Sequence, residues 1–437
     1  MTLFRLARRG LLAAIAVLVA WPTMAQTQMA PGDRGRLDTA PPPGGLVTAW
    51  TLAADRLGGG ASNWRTRAIM HIAMHDALNA AEPRYARWRP AGRGEPPPNG
   101  AAPLVAMAAA AYHVLLTRHP EAAVSEADRL FRDAVAADRP GAPVRAATRL
   151  GTAVARATLA AYPNPSGIPP LFPTAFGVGQ WRPTPEAQLN STLNPYRPFL
   201  PVNPAELAGR PPNQLDSPRY LADLEEVRMI GALRSTLRTP AQTAAAFFWA
   251  EQSSQRGFAH LAVRLLAEHP LPGGVWEEAR AMAVLSVSLA DSAIIAWDAK
   301  RRYGFWRPVT ALNTGTPGAP SEPGWRPLIE TPPHPDHPSG HATDCSAGAH
   351  ALRAVFGRDL GPVAYPGVDV PGDPVRTFNH LSQVAVECAS SRLWAGVHFR
   401  TANEEGLRLG EEIARRAIAA VPALPRAARV AEATLRR

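Results

Sequence analysis

Apolar positions recur at helical spacing along most of the chain. The pattern predicts helices over 47–57, 63–81, 101–117, 125–137 and 142–162, and again over 219–233, 240–251, 257–268, 275–301, 342–356, 377–397 and 403–420. A Gly58-Gly59-Gly60 break separates the first two. Between 163 and 217 the period is lost in a proline-dense stretch that includes Trp181-Arg182-Pro183-Thr184-Pro185. That stretch is too long and too aromatic for a plain linker, so it is expected to wrap across the helices as an ordered crossover. No run alternates polar and apolar residues between hairpin turns, and no fixed-period repeat is visible. The expectation is an all-α fold of helical bundles. It divides into a helical half at 46–235 that contains the crossover and a second helical half at 236–437.

The beginning of the chain reads differently. Arg5, Arg8 and Arg9 precede an apolar run from Leu11 to Ala20 and then Thr23-Met24-Ala25, the layout of a secretory signal over 1–25. Arg8-Arg9 also fits a twin-arginine signal. Residues 26–45, rich in Pro and Gly, read as an extended leader. Export to the periplasm or the extracellular space is the implied fate. No later run reaches about 20 apolar residues free of charge, so no integral membrane segment is expected once the signal is removed. Formal net charge is +10, of which three charges belong to the signal arginines, leaving +7. Without an arginine block interleaved with aromatics, nucleic acid is a poor partner, whereas small anions fit. Arginine supplies nearly all of this charge, and the one lysine is Lys300. A compact ammonium kept at a single place marks that place for attention.

The chemistry concentrates late in the chain. His337-Pro338-Ser339-Gly340-His341 leads into an alanine-rich run, which puts Ser339, Gly340 and His341 at a helix N-terminus, where free N–H groups and the dipole favour an anion. Lys300 and Arg307 lie seven apart, close to two turns; if the helix before them persists they share a side, and Pro308 helps to end it. Arg392 and His398 form a further block. Three cations, a serine, a helix N-terminus and two histidines make a receptacle for a tetrahedral or trigonal-bipyramidal oxyanion. His71 and His75, at i and i+4, lack the glutamate of a zinc-hydrolase helix and read as a buried polar face.

Lys300, six residues, Arg307-Pro308; then Pro338-Ser339-Gly340-His341; then Ser391-Arg392, five residues, His398: these blocks resemble the signature shared by vanadium-dependent haloperoxidases and type 2 phosphatidic acid phosphatases. Phe248-Trp249 and the stretch from Glu330 to Pro335 also resemble soluble bacterial members, with coverage over roughly 47–420. The resemblance implies two packed helix bundles and a bound vanadate, with phosphate as competing occupant. Lys300, Arg307, Ser339, the Gly340 N–H and Arg392 would hold its oxygens. His398 would bond vanadium axially, or attack phosphorus, and His341 would be the acid–base partner. Lys300 would also polarise the bound peroxide, so that hydrogen peroxide and halide give hypohalous acid for a small organic acceptor. Trp297 and His334 are the halide-pocket candidates, and by the same resemblance histidine at 334 would favour bromide or iodide.

One departure concerns the position four residues beyond His398, an aspartate in phosphatase members and Ala402 here. A partner orienting His398 is therefore expected from backbone or from Glu404 or Glu405. Three activities remain open: an exported vanadate-dependent haloperoxidase, a soluble acid phosphatase working through a phosphohistidine, and an oxyanion-binding protein without turnover. The oligomeric state is not legible. Cys345 lies one turn after His341 and Cys388 one turn before Arg392, which makes them candidates for a disulfide beside the site.

Overall fold

The computed structural model describes residues 45–57, 63–89, 102–120, 124–138, 140–141, 143–184 and 191–425. The signal sequence and all but the last residue of the leader lie outside them. In chain order the elements are α1 (Leu46–Leu57), α2 (Trp64–Ala81), α3 (Pro103–Arg118), α4 (Val124–Ala137), α5 (Val144–Ala161), α6 (Pro204–Leu207), α7 (Pro218–Ile230), α8 (Pro240–Glu251), α9 (Ser254–Glu268), α10 (Val275–Tyr303), α11 (Pro308–Thr314), α12 (Gly340–Phe356), β1 (Val363–Pro366), β2 (Val375–Phe378), α13 (Leu381–Trp394) and α14 (Arg400–Ala420). The expected all-α architecture holds. One continuous core draws Trp50, Ile69 and Val105 together with Leu261, Val284, Leu352 and Ile413.

Helix α10 is the axis of the molecule. Glu277 and Glu278 in its first turn and Lys300, Arg301 and Arg302 in its last complement the helix dipole, and Gly304, with φ +49°, ends it in the left-handed conformation that a glycine adopts without strain. Among the described residues it is the one helix long and apolar enough to cross a membrane, and 89% of its most apolar stretch is buried inside the protein. That burial marks a core helix. Helix α2 is likewise buried on almost every face. There His71 Nε2 meets the Thr51 hydroxyl at 3.3 Å while its Nδ1 has no partner, and His75 meets the Ala86 carbonyl at 2.9 Å, so both are polar groups of the core.

The crossover is ordered, as expected, over its described parts. Asp291, buried within α10, accepts the N–H groups of Phe199 at 2.7 Å and Leu200 at 2.8 Å. Trp181 N–H donates to the Gly304 carbonyl at 2.8 Å, and Trp306 N–H to that of Gly179 at 3.1 Å. These bonds clamp the crossover onto the end of α10 that carries Lys300.

Two local expectations fail. β1 and β2 form an antiparallel pair, Val363 opposite Phe378, where no strand was expected, and α13 starts at Leu381 rather than at 377. Four-residue strands are too short for alternation to register. Val363 and Tyr365 nevertheless reach the core, and Arg376 pairs with Glu387 on α13 at 2.6 Å. Secondly, α10 does not run on to Arg307. Gly304 stops it, Arg307 is extended (φ −87°, ψ 157°), and Pro308 opens α11 instead of closing α10. Proline at a first helical position is favourable because its missing N–H has no intrahelical partner there.

Candidate active site

Helix α12 begins where sequence placed it. Ser339 is its N-cap, with Oγ 3.5 Å from the Ala342 N–H, and the N–H groups of Gly340 and His341 open its first turn. Helix α14 fixes this end. Gly406 and Gly410 let its backbone lie against α12: a β-carbon on Gly406 would sit 2.7 Å from the Ser339 carbonyl, and one on Gly410 would strike that of Thr343. The Ser339 N–H donates to the Ala402 carbonyl at 2.9 Å, so position 402 contributes through its backbone.

The segment from Thr331 to Pro338 wraps the cations. Prolines at 332, 333, 335 and 338 carry no N–H, so its backbone offers mainly acceptors. Lys300 Nζ donates to the carbonyls of Pro335 (2.7 Å) and Asp336 (2.9 Å). Arg307 donates to the carbonyls of His334 (2.8 Å) and Val397 (2.6 Å), and its guanidinium lies 3.0 Å from both His334 Nδ1 and His398 Nε2. Arg392, from α13, reaches the Trp249 carbonyl at 3.5 Å, and its Nε has no partner. Lys300, Arg307, Ser339, Gly340, Arg392 and His398 are all buried. His341 and His334 are partly exposed on the wall of a cavity of about 320 Å3, shared with Trp297 and Gly340. The Trp297 and His334 rings lie 4.8 Å apart. All nine sequence-selected residues thus belong to one region of the molecule.

The partner of His398 is the main correction. Glu404 is spent on Arg219 at 2.7 Å, and Glu405 accepts the Arg210 N–H at 3.0 Å and pairs with Arg408. The buried Asp336 meets His398 instead, Oδ1 to Nδ1 at 2.8 Å. Its signal in the sequence was electrostatic: it is the one acid in the segment that wraps two buried cations. With His398 neutral, Nδ1–H donates to Asp336 and Nε2 keeps a lone pair, the tautomer needed to bond a central atom. Replacing Asp336 by Asn should weaken vanadate affinity by about 10–100-fold, because a ring-orienting carboxylate is lost. Calorimetric titration checks this, and unchanged affinity would mean that the pair does not orient the ring.

Electrostatics describe a cage built for negative charge. Burial, reinforced by Arg307, pushes the Lys300 ammonium well below its ordinary value. Burial brings Arg307 down to about 10 against the pull of Asp336, and burial with Arg307 brings Arg392 down to about 9. His398 and His341 are held well below the usual histidine range by burial first and then by the same cations. Burial lifts Asp336 to about 7 although Arg307 and Lys300 oppose the rise. Three buried cations thus face the single carboxylate hydrogen-bonded among them. Burying unmatched charge is costly, and an oxyanion carrying two or more negative charges would offset it. The donor set fits vanadate, and it fits phosphate equally.

Comparison with known proteins agrees with this geometry. Residues 280–426 match the family model described as the VCPO second helical-bundle domain. The vanadium-dependent bromoperoxidase of Ascophyllum nodosum is 34% identical over 99 residues, covering 20% of this chain and 18% of that protein. The vanadium chloroperoxidase of Curvularia inaequalis is 27% identical over 227 residues, covering 39% of this chain and 37% of its own length. The matches therefore span well under half of either relative. In fold, the chain is similar to the first bacterial vanadium-dependent iodoperoxidase, with TM-score 0.64 and 22% identity over 87% of this chain and 96% of that one. The holo-type bacterial vanadium-dependent chloroperoxidase follows at 0.60 and 19%, over 82% and 91%. The cage from Lys300 to His398 lies wholly within the second-bundle match, and in sequence the chain is similar to vanadium haloperoxidases.

Proposed function

We propose that this protein is an exported vanadate-dependent haloperoxidase that oxidises bromide or iodide with hydrogen peroxide. The observation that carries the proposal is the excess of buried positive charge around His398, whose Nδ1 is held by Asp336 so that Nε2 keeps its lone pair toward the cations, accepting from Arg307 at 3.0 Å. Lys300, Arg307, Arg392, the Ser339 hydroxyl and the Gly340 N–H would hold the oxyanion oxygens, and His398 Nε2 would bond the central atom. Bound vanadate supplies a Lewis-acidic centre at which peroxide becomes electrophilic toward halide. Each turnover combines hydrogen peroxide, halide and one proton into hypohalous acid and water. His341, neutral and on the cavity wall, moves that proton. His334 against Trp297 supports the larger halides, as does the likeness to an iodoperoxidase. A buried Cys345–Cys388 disulfide supports export.

The Asp336–His398 pair also favours a second reading, since it restores the orienting carboxylate that Ala402 cannot provide. On that reading His398 attacks a phosphate ester. One assay separates the two: purified protein with and without orthovanadate, tested for peroxide-dependent triiodide formation and for phosphate-ester hydrolysis. Vanadate should confer oxidation and phosphate should compete with its loading. Robust oxidation by vanadium-free protein, indifferent to phosphate, would sink the proposal.

Lys300→Arg should reduce halide oxidation by about 10²–10³-fold although charge is kept, the usual cost of one misplaced donor at a developing anion. The ammonium is seated on two carbonyls, and a β-carbon on Gly340 would stand only 3.9 Å from Lys300 Cε. A planar guanidinium cannot reproduce that seat. Wild-type turnover in this variant would remove Lys300 from the machinery.

A further inference from the structure

The cavity beside the cage has a second wall that the mechanism does not use. Asp344 lies on α12 one turn beyond His341, so both side chains face the same space. Its Oδ1 accepts from the Ser292 hydroxyl at 2.6 Å and its Oδ2 from the Gln255 amide at 3.2 Å. No ion pair involves it among the described residues, and Lys300 acts on it only through space. Each carboxylate oxygen keeps acceptor capacity. Two indoles, Trp64 and Trp297, and Asn194 line the same cavity. At about 320 Å3 the space is at the lower end of small-molecule sites, which combine apolar walls with a few placed polar groups. A half-buried acid without a cationic partner, facing a cavity with aromatic walls, is a receptor for a hydrogen-bond donor carried on a ring.

We propose that this cavity binds the organic acceptor, that the acceptor is a planar aromatic with a hydroxyl donor of the phenol class, and that Asp344 selects it by accepting the O–H. A cationic amine suits the cavity less well, because Lys300, Arg307 and Arg392 keep this end of the molecule positive. Held there, the ring lies next to the place where hypohalous acid is released. In the halogenation a carbon–halogen bond replaces a ring C–H bond, the oxygen–halogen bond breaks, and the ring proton leaves with hydroxide as water. The O–H bond to a carboxylate enriches the ring in electrons for that attack. The fate of the acceptor rests on the haloperoxidase reading, whereas its binding does not.

The test is therefore a binding measurement without peroxide or halide. Phosphate-loaded protein is titrated calorimetrically with phenol and with anisole, which has the same ring and no donor. The wild type should bind phenol at least about tenfold more tightly. Asp344→Asn should bring the two affinities to within about twofold of each other, since its amide N–H₂ competes with the donors already present. Trp64→Leu should weaken both ligands alike and preserve their ratio. Equal affinities in the wild type overturn the proposal, as does a ratio retained by Asp344→Asn or indifference of both ligands to Trp64→Leu. Loss of thermal stability in Asp344→Asn with the ratio intact would make Asp344 a staple between α9, α10 and α12. Should that variant fail to fold, the wild-type ratio and Trp64→Leu still decide. Triiodide formation by the wild type, which needs no organic acceptor, judges the oxidase reading separately.

Discussion

His398→Ala should lose vanadate and phosphate together, with affinity falling by more than about 100-fold, beyond the range typical of removing only a ligand's supporting partner. The reason is that His398 alone offers the cage a nitrogen lone pair held in place from behind. Its Nδ1 is fixed by Asp336 at 2.8 Å, and Nε2 lies 3.0 Å from Arg307. The cations that remain are placed for oxygens. His341→Ala should behave differently. It lies on the cavity wall, and its loss should cut turnover by about 10²–10⁴-fold, the range for general acid–base groups, while much of the oxyanion affinity is retained. The measurements are paired: oxyanion affinity by calorimetry and halide oxidation by triiodide formation, for both variants. A protein that binds vanadate normally without His398 and not at all without His341 would reverse the two roles. Thermal melts in phosphate give an independent check. Ligand at a hundred times its dissociation constant adds about 2.7 kcal/mol to stability, so that gain should be lost in His398→Ala and largely kept in His341→Ala.

The sequence carried the helices and the cage because both are written in local terms. The 3.6-residue period marks a buried face wherever a helix packs on one side, and α10 and α12 announced themselves in that way. The cage was legible because three short blocks bring their own spacing. The failures share a cause. That Asp336 meets His398, 62 residues on, follows from how the proline-rich segment folds around two buried cations, and no spacing rule anticipates it. A charge count anticipates it in part, since three cations gathered at one site call for an acid nearby. A seven-residue spacing would put Lys300 and Arg307 on one side only if the helix persisted; Gly304 in its left-handed conformation turns the chain instead and lets Arg307 reach the site from an extended segment. Asp344 went unremarked because one acid near the start of a helix is ordinary. Its meaning lies in Ser292 and Gln255, which come from two other helices.

The Cys345–Cys388 bridge ties the two helices that the cage depends on, and removing it should be the largest single loss of stability. It joins α12, which presents Ser339, Gly340 and His341, to α13, which carries Arg392, with the α-carbons 6.4 Å apart. Both sulfurs are buried, and Cys388 Sγ lies 3.5 Å from the His341 carbonyl. The bridge closes a loop with a sequence separation of 43. In the chain-entropy description a loop of that size contributes about 4 kcal/mol by restricting the unfolded chain. For a protein of this length such a loss corresponds to roughly 5 °C in melting temperature. The double variant Cys345→Ala/Cys388→Ala should show it in thermal unfolding at saturating phosphate. Its oxyanion affinity should also fall, because α12 and α13 are then free to shift the helix N-terminus against Arg392, and the cage was positioned by their fixed approach. A variant as stable as the wild type that binds vanadate equally well would assign the approach of α12 and α13 to packing alone, with Gly406 and Gly410 on α14 as the contacts that hold it.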